Sequence, residues 1–407
     1  MTRTGEQAEF SLRRIAVPAF GPSAIWSIGA GAVLPVVALS ARGLGASVGL
    51  AALFVGITTL SEFAAAIPAG VLVERIGERR ALVLAGALDA VACALALVAP
   101  SLWVLGVACA LMGPSGAVFL LARQSYLTAA APVALRARAM STLGGVTRIG
   151  LFVGPLVGAP VVARWGPQAA FAVAVVAGLL AAALAWRTPD LGAHHEELSA
   201  HHERVPVHRV VAQNRRVLLT VGLGVLAIGL ARSSRVVVVP LWAEHVGLDA
   251  AQTSLVFAAA AFVEVVLFYP AGTVMDRHGR VWVAVPVTLL LGLGLVALPL
   301  TTTLAGVAAL ALLMGVGNGL GSGIVMTLGA DAAPTVGRAP FLGVWRLLSL
   351  VGHNGAALVV GAVAAVATIG VASVAVGLLT LVGGAWLARW LPEYDPRRRA
   401  QASFDEV

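Results

Sequence analysis

Long runs of apolar residues, separated by short polar segments, follow one another along the whole chain. Each run holds about 20 residues or more, the length that a helix needs to cross the hydrocarbon core of a bilayer. Backbone groups inside lipid must find hydrogen-bond partners within their own segment, so each run is predicted to be a helix. The pattern predicts an all-α membrane protein with twelve transmembrane helices. The runs, numbered 1 to 12 in chain order, cover residues 16–39, 48–73, 81–99, 102–122, 139–163, 168–186, 217–243, 251–275, 281–299, 304–329, 340–363 and 370–388.

The longest polar break lies between runs 6 and 7 and divides the chain into two halves of six runs each. We expect an N-terminal six-helix bundle over residues 1–186, a cytoplasmic linker over 187–216 and a C-terminal six-helix bundle over 217–407. The linker holds two pairs of neighbouring histidines, which could bind a metal or lie in a solvated segment. A polar stretch of this kind fixes no ligand geometry, so we predict no metal site. The histidines are His194, His195, His201 and His202.

The composition agrees with a membrane protein, because 59% of the residues are hydrophobic, 11% are charged and the mean hydropathy is +0.94. A soluble domain carries about 25% charged residues. The net charge of +8 could suggest a nucleic-acid partner, but 21 of the 27 basic residues lie at the termini or in the loops on one side of the predicted bundle. Only Arg42 and Arg164 lie in the opposite loops. This bias predicts cytoplasmic termini in a bacterial inner membrane, with no nucleic-acid partner.

Two segments that lie 202 residues apart are copies of one another. The first, EFAAAIPAGVLVERIG, spans residues 62–77, and the second, EVVLFYPAGTVMDRHG, spans residues 264–279. Each begins with a glutamate inside an apolar run, where a carboxylate is costly and is seldom kept without a use. The same spacing relates Gly113 to Gly315. The chain is therefore predicted to be a parallel duplication of six-helix halves, an architecture found among transporters.

The loop after run 2, GVLVERIGERR, resembles the loop signature of the major facilitator superfamily, and the loop after run 8, GTVMDRHGRVW, repeats it. Glu74 stands where the family usually has an aspartate. The resemblance implies a major facilitator fold, in which two six-helix bundles give alternating access to a small-molecule site near the membrane midplane. It also implies a functional monomer in the lipid bilayer. The signature residues are Gly70, Glu74, Arg75 and Gly77 in the first copy and Gly272, Asp276, Arg277 and Gly279 in the second.

Run 5 contains GLFVGPLVGA, which resembles the antiporter motif of the twelve-helix drug–proton antiporters in this superfamily. Glycines four residues apart also suit any tightly packed pair of membrane helices, so both interpretations stay open. The resemblance implies proton-coupled efflux of amphipathic drugs or metabolites, as in multidrug resistance, with the proton gradient as energy source and no cofactor. One departure is Cys109, which stands where the family's fourth helix carries an arginine. The motif residues are Gly150, Gly154, Pro155 and Gly158.

Seven charged residues lie inside the apolar runs, which is too many for all of them to face lipid. In the superfamily, helix 2 faces helix 11 and helix 5 faces helix 8. Because the charges concerned lie at similar depth, we hypothesise two bridges, Glu62 to Arg346 and Glu264 to Arg148. Protonation of a carboxylate would release its arginine and let the halves rock, whereas static pairing of buried charge is the alternative. The candidates for proton coupling or gating are Glu62, Asp89, Arg148, Glu264, Arg346 and His353.

Several polar and aromatic side chains of the apolar runs could line a substrate cavity, although ordinary helix packing would also explain them. Two arginines in run 7 share one helix face and suit a carboxylate or phosphate, so an importer or facilitator of an anionic metabolite is the rival prediction. We find no nucleophile–base arrangement and no phosphate-binding Gly-Lys-Ser/Thr loop, and so predict neither an enzyme nor ATP-driven transport. The substrate-binding candidates are Trp26, Ser27, Arg232, Arg235, Asn318 and Trp345.

Overall fold

The computed structural model describes residues 16–130, 133–187, 207–321, 323–334 and 338–394, and these residues are almost entirely helical. Among them, twelve helical stretches are long and apolar enough to cross a membrane, which confirms the predicted all-α fold class. The helices are α1 Ala16–Val33, α2 Val37–Gly43, α3 Val48–Ile76, α4 Glu78–Leu97, α5 Leu102–Ala130, α6 Val133–Trp165, α7 Ala170–Trp186, α8 Val207–Gln213, α9 Arg215–Leu219, α10 Val221–His245, α11 Ala250–His278, α12 Val281–Ala297, α13 Leu304–Leu320, α14 Ile324–Ala332, α15 Arg338–Val366 and α16 Ile369–Trp390.

Three details of the helices differ from the predicted runs. Run 1 forms two helices, α1 and α2, and run 10 likewise forms α13 and α14. Run 4 is predicted to end just before Arg123, but α5 continues to Ala130, so Arg123 is part of a helix and not of a loop. Of the predicted linker, residues 188–206 lie outside the described residues, and all four of its histidines fall there. The helices α8 and α9 follow this segment.

The duplication is visible at both ends of the second transmembrane helix of each half, which is α3 in the first half and α11 in the second. Ser47 caps the start of α3, and Asp249, which lies 202 residues later, caps the start of α11. At the other ends, Gly77 and Gly279 have φ angles of 81° and 100°. Glycine adopts this conformation without the steric clash of a Cβ atom. We call the face with these two glycines the motif face and the face with the two caps the opposite face.

Two pairs of helices, α3 with α15 and α6 with α11, join the halves. Near the opposite face α3 and α15 are very close, because a methyl group added at Gly49 would lie 2.9 Å from a backbone oxygen of α15. A methyl group added at Gly56 would lie 2.9 Å from Cβ of Ala357. In the other pair, the rings of Phe152 and Phe262 have their centroids 5.4 Å apart. Small residues therefore form the contact between α3 and α15 near the opposite face, whereas aromatic rings contribute to the contact between α6 and α11.

An ion pair links the halves at the opposite face. Nε of Arg42, at the end of α2, lies 3.0 Å from Oε2 of Glu244, in the last turn of α10. Nη1 of Arg42 also donates a hydrogen bond of 2.6 Å to the backbone oxygen of Ala46. The two charged residues are 202 positions apart, which is the spacing of the repeat. Each residue of this ion pair is therefore the counterpart of the other in the duplicated sequence.

Candidate functional site

A cavity of about 700 Å³ lies between the halves, lined by α3 and α5 of the first half and by α10, α14 and α15 of the second. Along α3 its wall runs from Thr59 to Ile67, beyond the close contact at Gly56. Ile67, on the side of the motif face, is 81% exposed. The cavity is therefore closed towards the opposite face and open towards the motif face. Its volume falls in the usual range for small-molecule sites, roughly 300–1,000 Å³.

Most of the cavity wall is apolar, but four titratable side chains interrupt it. Glu62 comes from α3, Arg232 from α10, and Arg346 and His353 from α15. Arg346 and His353 are exposed to the cavity, while Glu62 is half-buried. Asn354 adds a neutral polar group next to His353. The apolar part of the wall includes Phe63, Ile67, Leu120, Leu121, Leu347 and Leu350.

The first predicted bridge, between Glu62 and Arg346, has both of its members in this cavity. They are close enough to interact electrostatically. The ion pairs within 4 Å among the described residues do not include them. The structure thus brings the two charges into one cavity and leaves both without a salt bridge.

The second predicted bridge, between Glu264 and Arg148, is not formed, because other residues contact the carboxylate of Glu264. Its Oε1 atom lies 2.7 Å from Nη2 of Arg235, and Oε2 accepts a hydrogen bond of 2.6 Å from Nδ2 of Asn318. Arg148 instead places its guanidinium 4.9 Å from the ring centroid of Phe268. Counting residues along the helices predicts similar depths for Glu264 and Arg148, but it does not say which way each side chain points. Both partners of Glu264 lie within its own half.

Among the charged residues described in this section, Arg232 has the fewest contacts that would neutralise its charge. Its Nε and Nη2 atoms are buried and donate no hydrogen bond. A methyl group added at Gly321, just after α13, would overlap Nη2, so the guanidinium lies directly against the chain between α13 and α14. The charges that interact with it are Arg148, Arg235 and Glu264. An arginine is thus buried among more positive than negative neighbours.

A second polar group lies within the first half, away from the cavity. Oδ1 of Asp89, in α4, lies 2.8 Å from Oγ of Ser115, in α5. One turn or more towards the motif face, Arg123 is 1% exposed, and its Nε donates a hydrogen bond of 2.7 Å to Oγ of Ser23. Sequence reasoning missed Arg123 because it directly follows an apolar run. The signal that could have placed it in a helix is the lack of glycine or proline between Arg123 and Pro132.

Of the six predicted substrate-binding residues, only Arg232 is among the residues that line the cavity. Trp26 stacks on Phe119, with ring centroids 5.0 Å apart. Ser27 is 1% exposed. Trp345 is 3% exposed and donates a hydrogen bond of 2.9 Å from Nε1 to the backbone oxygen of Val325. Arg235 and Asn318 both contact the carboxylate of Glu264. These five residues therefore make packing and polar contacts within their own halves, and a role for them in substrate binding stays a prediction.

The antiporter-like motif of α6 lies along α1. A methyl group added at Gly154 would overlap the backbone of α1 at Ile28, and one added at Gly150 would overlap the side chain of Ser27. At Gly158 the added group would lie 3.2 Å from Cβ of Ala32. The three glycines therefore form the contact face of a closely packed helix pair. Pro155 lies inside the same helix.

The two loop motifs form equivalent turns with different charges. Directly after Gly77, Oε1 of Glu78 accepts a hydrogen bond of 2.9 Å from Ser125. At the equivalent position after Gly279, Nε of Arg280 lies 2.7 Å from Oδ2 of Asp331. In both halves the residue that follows the turn glycine thus contacts a neighbouring helix, from the first position of α4 in the first half and from the position just before α12 in the second. Gly70, Glu74, Arg75 and Arg277 lie in the last two turns of their helices, and of Gly272 and Asp276 only the helical backbone is described.

Comparison with protein families gives one family model, whose two matches together cover nearly the whole chain. A family model described as Major Facilitator Superfamily matches residues 23–339 and, in a second match, residues 221–406. The overlap of the two matches is consistent with a duplicated chain. Among curated proteins, no relative matches.

Solved structures with the same fold include peptide transporters. A POT family transporter in complex with a thioalcohol-conjugated peptide has a TM-score of 0.76 and 11% sequence identity, covering 94% of this chain and 96% of that one. A mutant of the peptide transporter POT in complex with alafosfalin has a TM-score of 0.73 and 13% identity, covering 93% and 94%. A POT family transporter in complex with 5-aminolevulinic acid has a TM-score of 0.72 and 12% identity, covering 94% and 96%. At such low identity the similarity concerns the fold alone.

Proposed function

This chain belongs to the Major Facilitator Superfamily and is a membrane transporter, and we propose that it exports amphipathic small molecules in exchange for protons. The observation that carries the proposal is the cavity between the halves. There a carboxylate, Glu62, lies in a largely apolar wall beside Arg346 and without a salt bridge. Carboxylates at such depth serve as proton carriers in pumps and transporters. The resemblance of the α6 motif to that of drug–proton antiporters supports export as the direction.

The mechanism follows from what holds the halves together. In the present state α3 and α15 are in contact near the opposite face and are separated by the cavity further along. This geometry suits a rocking motion of the two halves about the contact near the opposite face. A proton on Glu62 would remove its attraction for Arg346 and so weaken one force between the halves. Loss of the proton would restore this force. Proton uptake and opening would then be linked through one pair of side chains.

Orientation and assembly are part of the same proposal. The arginine bias favours a cytoplasmic motif face in a bacterial inner membrane, and with that orientation the cavity would open inward in this state. We further propose a monomer in the lipid bilayer as the working unit, which the resemblance to the superfamily implies.

A transport assay in inverted membrane vesicles with an imposed pH gradient tests the proposal. Addition of an amphipathic substrate should release protons through the wild-type protein, reported by a pH-sensitive dye. Glu62→Gln keeps the shape of the side chain but cannot ionise, so it should abolish proton release. Glu393→Gln changes an exposed carboxylate in a surface ion pair and should behave as wild type. Proton release by Glu62→Gln at the wild-type rate would remove Glu62 from the coupling step.

A second candidate function is the uptake or facilitated passage of an anionic metabolite, which the cavity arginines favour. Arg232 and Arg346 are the two cations of the wall, and arginine matches carboxylate and phosphate geometry. Counterflow in vesicles without any pH gradient separates the two functions. A facilitator would exchange labelled for unlabelled substrate at a rate that ignores the gradient, whereas an antiporter would respond to it.

A further inference from the structure

Among the described residues, the charges that line the cavity and those that interact with Arg232 do not balance when they are counted together. Four are positive and two are negative, which leaves an excess of two positive charges at the middle of the membrane. Within the described residues, only one ion pair joins members of this set. Charges buried in a membrane protein without compensation are costly and therefore point to a ligand or a partner. The six residues are Glu62, Arg148, Arg232, Arg235, Glu264 and Arg346.

This excess cannot be relieved by the arginines themselves, because an arginine side chain stays protonated in proteins. Protonation of a glutamate would only increase the excess. The compensating charge must therefore come from outside the set. Arg232 is the most affected residue, since two of its nitrogens are buried without a hydrogen-bond acceptor and its position is fixed against Gly321. Arg346 faces the same cavity from α15.

We propose that the transported molecule carries an anionic group, a carboxylate, sulfonate or phosphate, that binds between Arg232 and Arg346 while its apolar body lies against α3 and α5. The inference rests on the proposed function only in that this cavity holds the substrate. Phe63, Leu120 and Leu121 supply the apolar wall for the body. Ser349 and Asn354 supply neutral hydrogen-bonding groups near the arginines. The substrate class is thus an amphipathic organic anion.

The test uses the purified full chain in nanodiscs and four probes. The probes differ in whether they carry the apolar body and in the charge of their polar group. Naphthylacetate carries the body and the anion, naphthylacetamide carries the body alone, naphthylmethylammonium carries a cation, and inorganic phosphate carries the anion alone. Naphthylacetate should raise the melting temperature and give a binding isotherm, because a ligand that binds the folded state stabilises it. The amide, the ammonium and inorganic phosphate should bind at least about tenfold more weakly, since each lacks one part of the recognition.

Variants locate the binding. Arg232→Gln and Arg346→Gln should each weaken naphthylacetate binding by at least about tenfold. Arg232→Lys keeps the charge and should retain part of the affinity. Arg164→Gln, at the end of α6, removes an arginine that lies outside the cavity and should bind as wild type. Arg346 is exposed to the cavity, so its variant tests the site without disturbing packing.

Three results would overturn the anion site: equal binding of the amide, binding that survives both glutamine variants, or inorganic phosphate binding as well as naphthylacetate. The assay uses no gradient, so its outcome is separate from that of the coupling experiment. Binding of the anion without proton exchange would keep this site and remove the antiport proposal. Proton exchange driven by the ammonium probe would keep antiport and remove this site.

Discussion

At the scale of single residues, the carboxylate of Glu264 shows how a charge is kept inside the membrane. It contacts Arg235 and Asn318 from two different helices of its own half. Its counterpart Glu62 lines the cavity and forms no ion pair with any residue that the structure describes. The two copies of one glutamate therefore have different surroundings. The second copy is compensated within its bundle, and the first is available to the space between the bundles.

This difference predicts different effects of mutation on stability. Glu264→Ala should destabilise the protein by about 3–5 kcal/mol, because it leaves Arg235 buried without its partner. The double variant with Arg235→Ala should recover part of that loss. Glu393→Ala, which breaks exposed ion pairs, should cost no more than about 1 kcal/mol. Chemical unfolding in detergent measures all four proteins, and a double variant less stable than Glu264→Ala would contradict the pairing.

The depth of a charged residue in the membrane could be predicted from the sequence, but the direction in which its side chain points could not. Counting along a helix places a residue at its level in the membrane. The guanidinium of Arg148 nevertheless lies over the ring of Phe268, and Glu264 contacts Arg235 of α10 instead. Which of several arginines at one depth meets a carboxylate depends on helix rotation. The sequence of a helix that is hydrophobic on all its faces does not show how the helix is rotated about its axis.

At the scale of helices, the α1–α6 pair explains the glycines of the antiporter-like motif. Gly154 lies so close to the backbone of α1 that no side chain fits there. Sequence reasoning left packing and antiport as two interpretations of this motif. The contact gives the packing interpretation a physical basis, while a role in antiport stays a prediction. One close helix contact also serves a moving protein, because it keeps each half rigid while the halves move.

Gly154→Ala should therefore destabilise the protein by about 1–3 kcal/mol, since the added methyl group must push two helices apart. Gly145→Ala, in the same helix, is the matched control because nothing lies within 4 Å of its added methyl group. The control should be neutral or slightly stabilising, since alanine favours helix over glycine. Thermal unfolding in detergent compares the two variants. Equal effects would mean that helix propensity, and not the contact with α1, decides.

Helix number was the strongest prediction at this scale, and helix ends and breaks were the weakest. Apolar length alone reveals a membrane span, so all twelve were found. The division of run 10 into α13 and α14 could not be seen by length, because the glycines around residue 321 leave the run apolar. The same property hid the helical extension beyond Arg123. Hydropathy shows whether a segment lies in the membrane or in water. It does not show where a helix breaks or ends inside that segment.

At the scale of the whole molecule, the opposite face is closed and the motif face is open. The duplication predicted two similar halves, but a symmetric sequence does not say which face is closed. That choice depends on contacts between the halves, such as the ion pair of Arg42 and Glu244 and the packing at Gly49. Breaking one of these contacts should shift the balance between the two states.

Arg42→Gln should expose the opposite face more often. An ion pair as exposed as this one contributes up to about 1 kcal/mol, which corresponds to a change of about fivefold in the open fraction. A cysteine in place of Leu53, between α3 and α15, should then react faster with a maleimide. The natural Cys93 and Cys109 are buried and can first be replaced by alanine.

Two comparisons make the labelling experiment specific. A cysteine in place of Val98, which is 71% exposed, should react at one rate in every background. The exchanged pair, Arg42→Glu with Glu244→Arg, should return the Leu53 position to its slow rate. Fast labelling in the exchanged pair would show that the charges do not hold the halves together.

The ion pair of Arg42 and Glu244 has a consequence for the ancestry of the chain. In a symmetric dimer of two identical six-helix units, the residues that meet on the twofold axis are the same residue twice. Arginine would then oppose arginine, or glutamate would oppose glutamate, and the two charges would repel. Opposite charges at these equivalent positions require two halves that are no longer identical in sequence. The contact also disfavours joining a half to a second copy of itself, so each half recognises the other half and not its own twin.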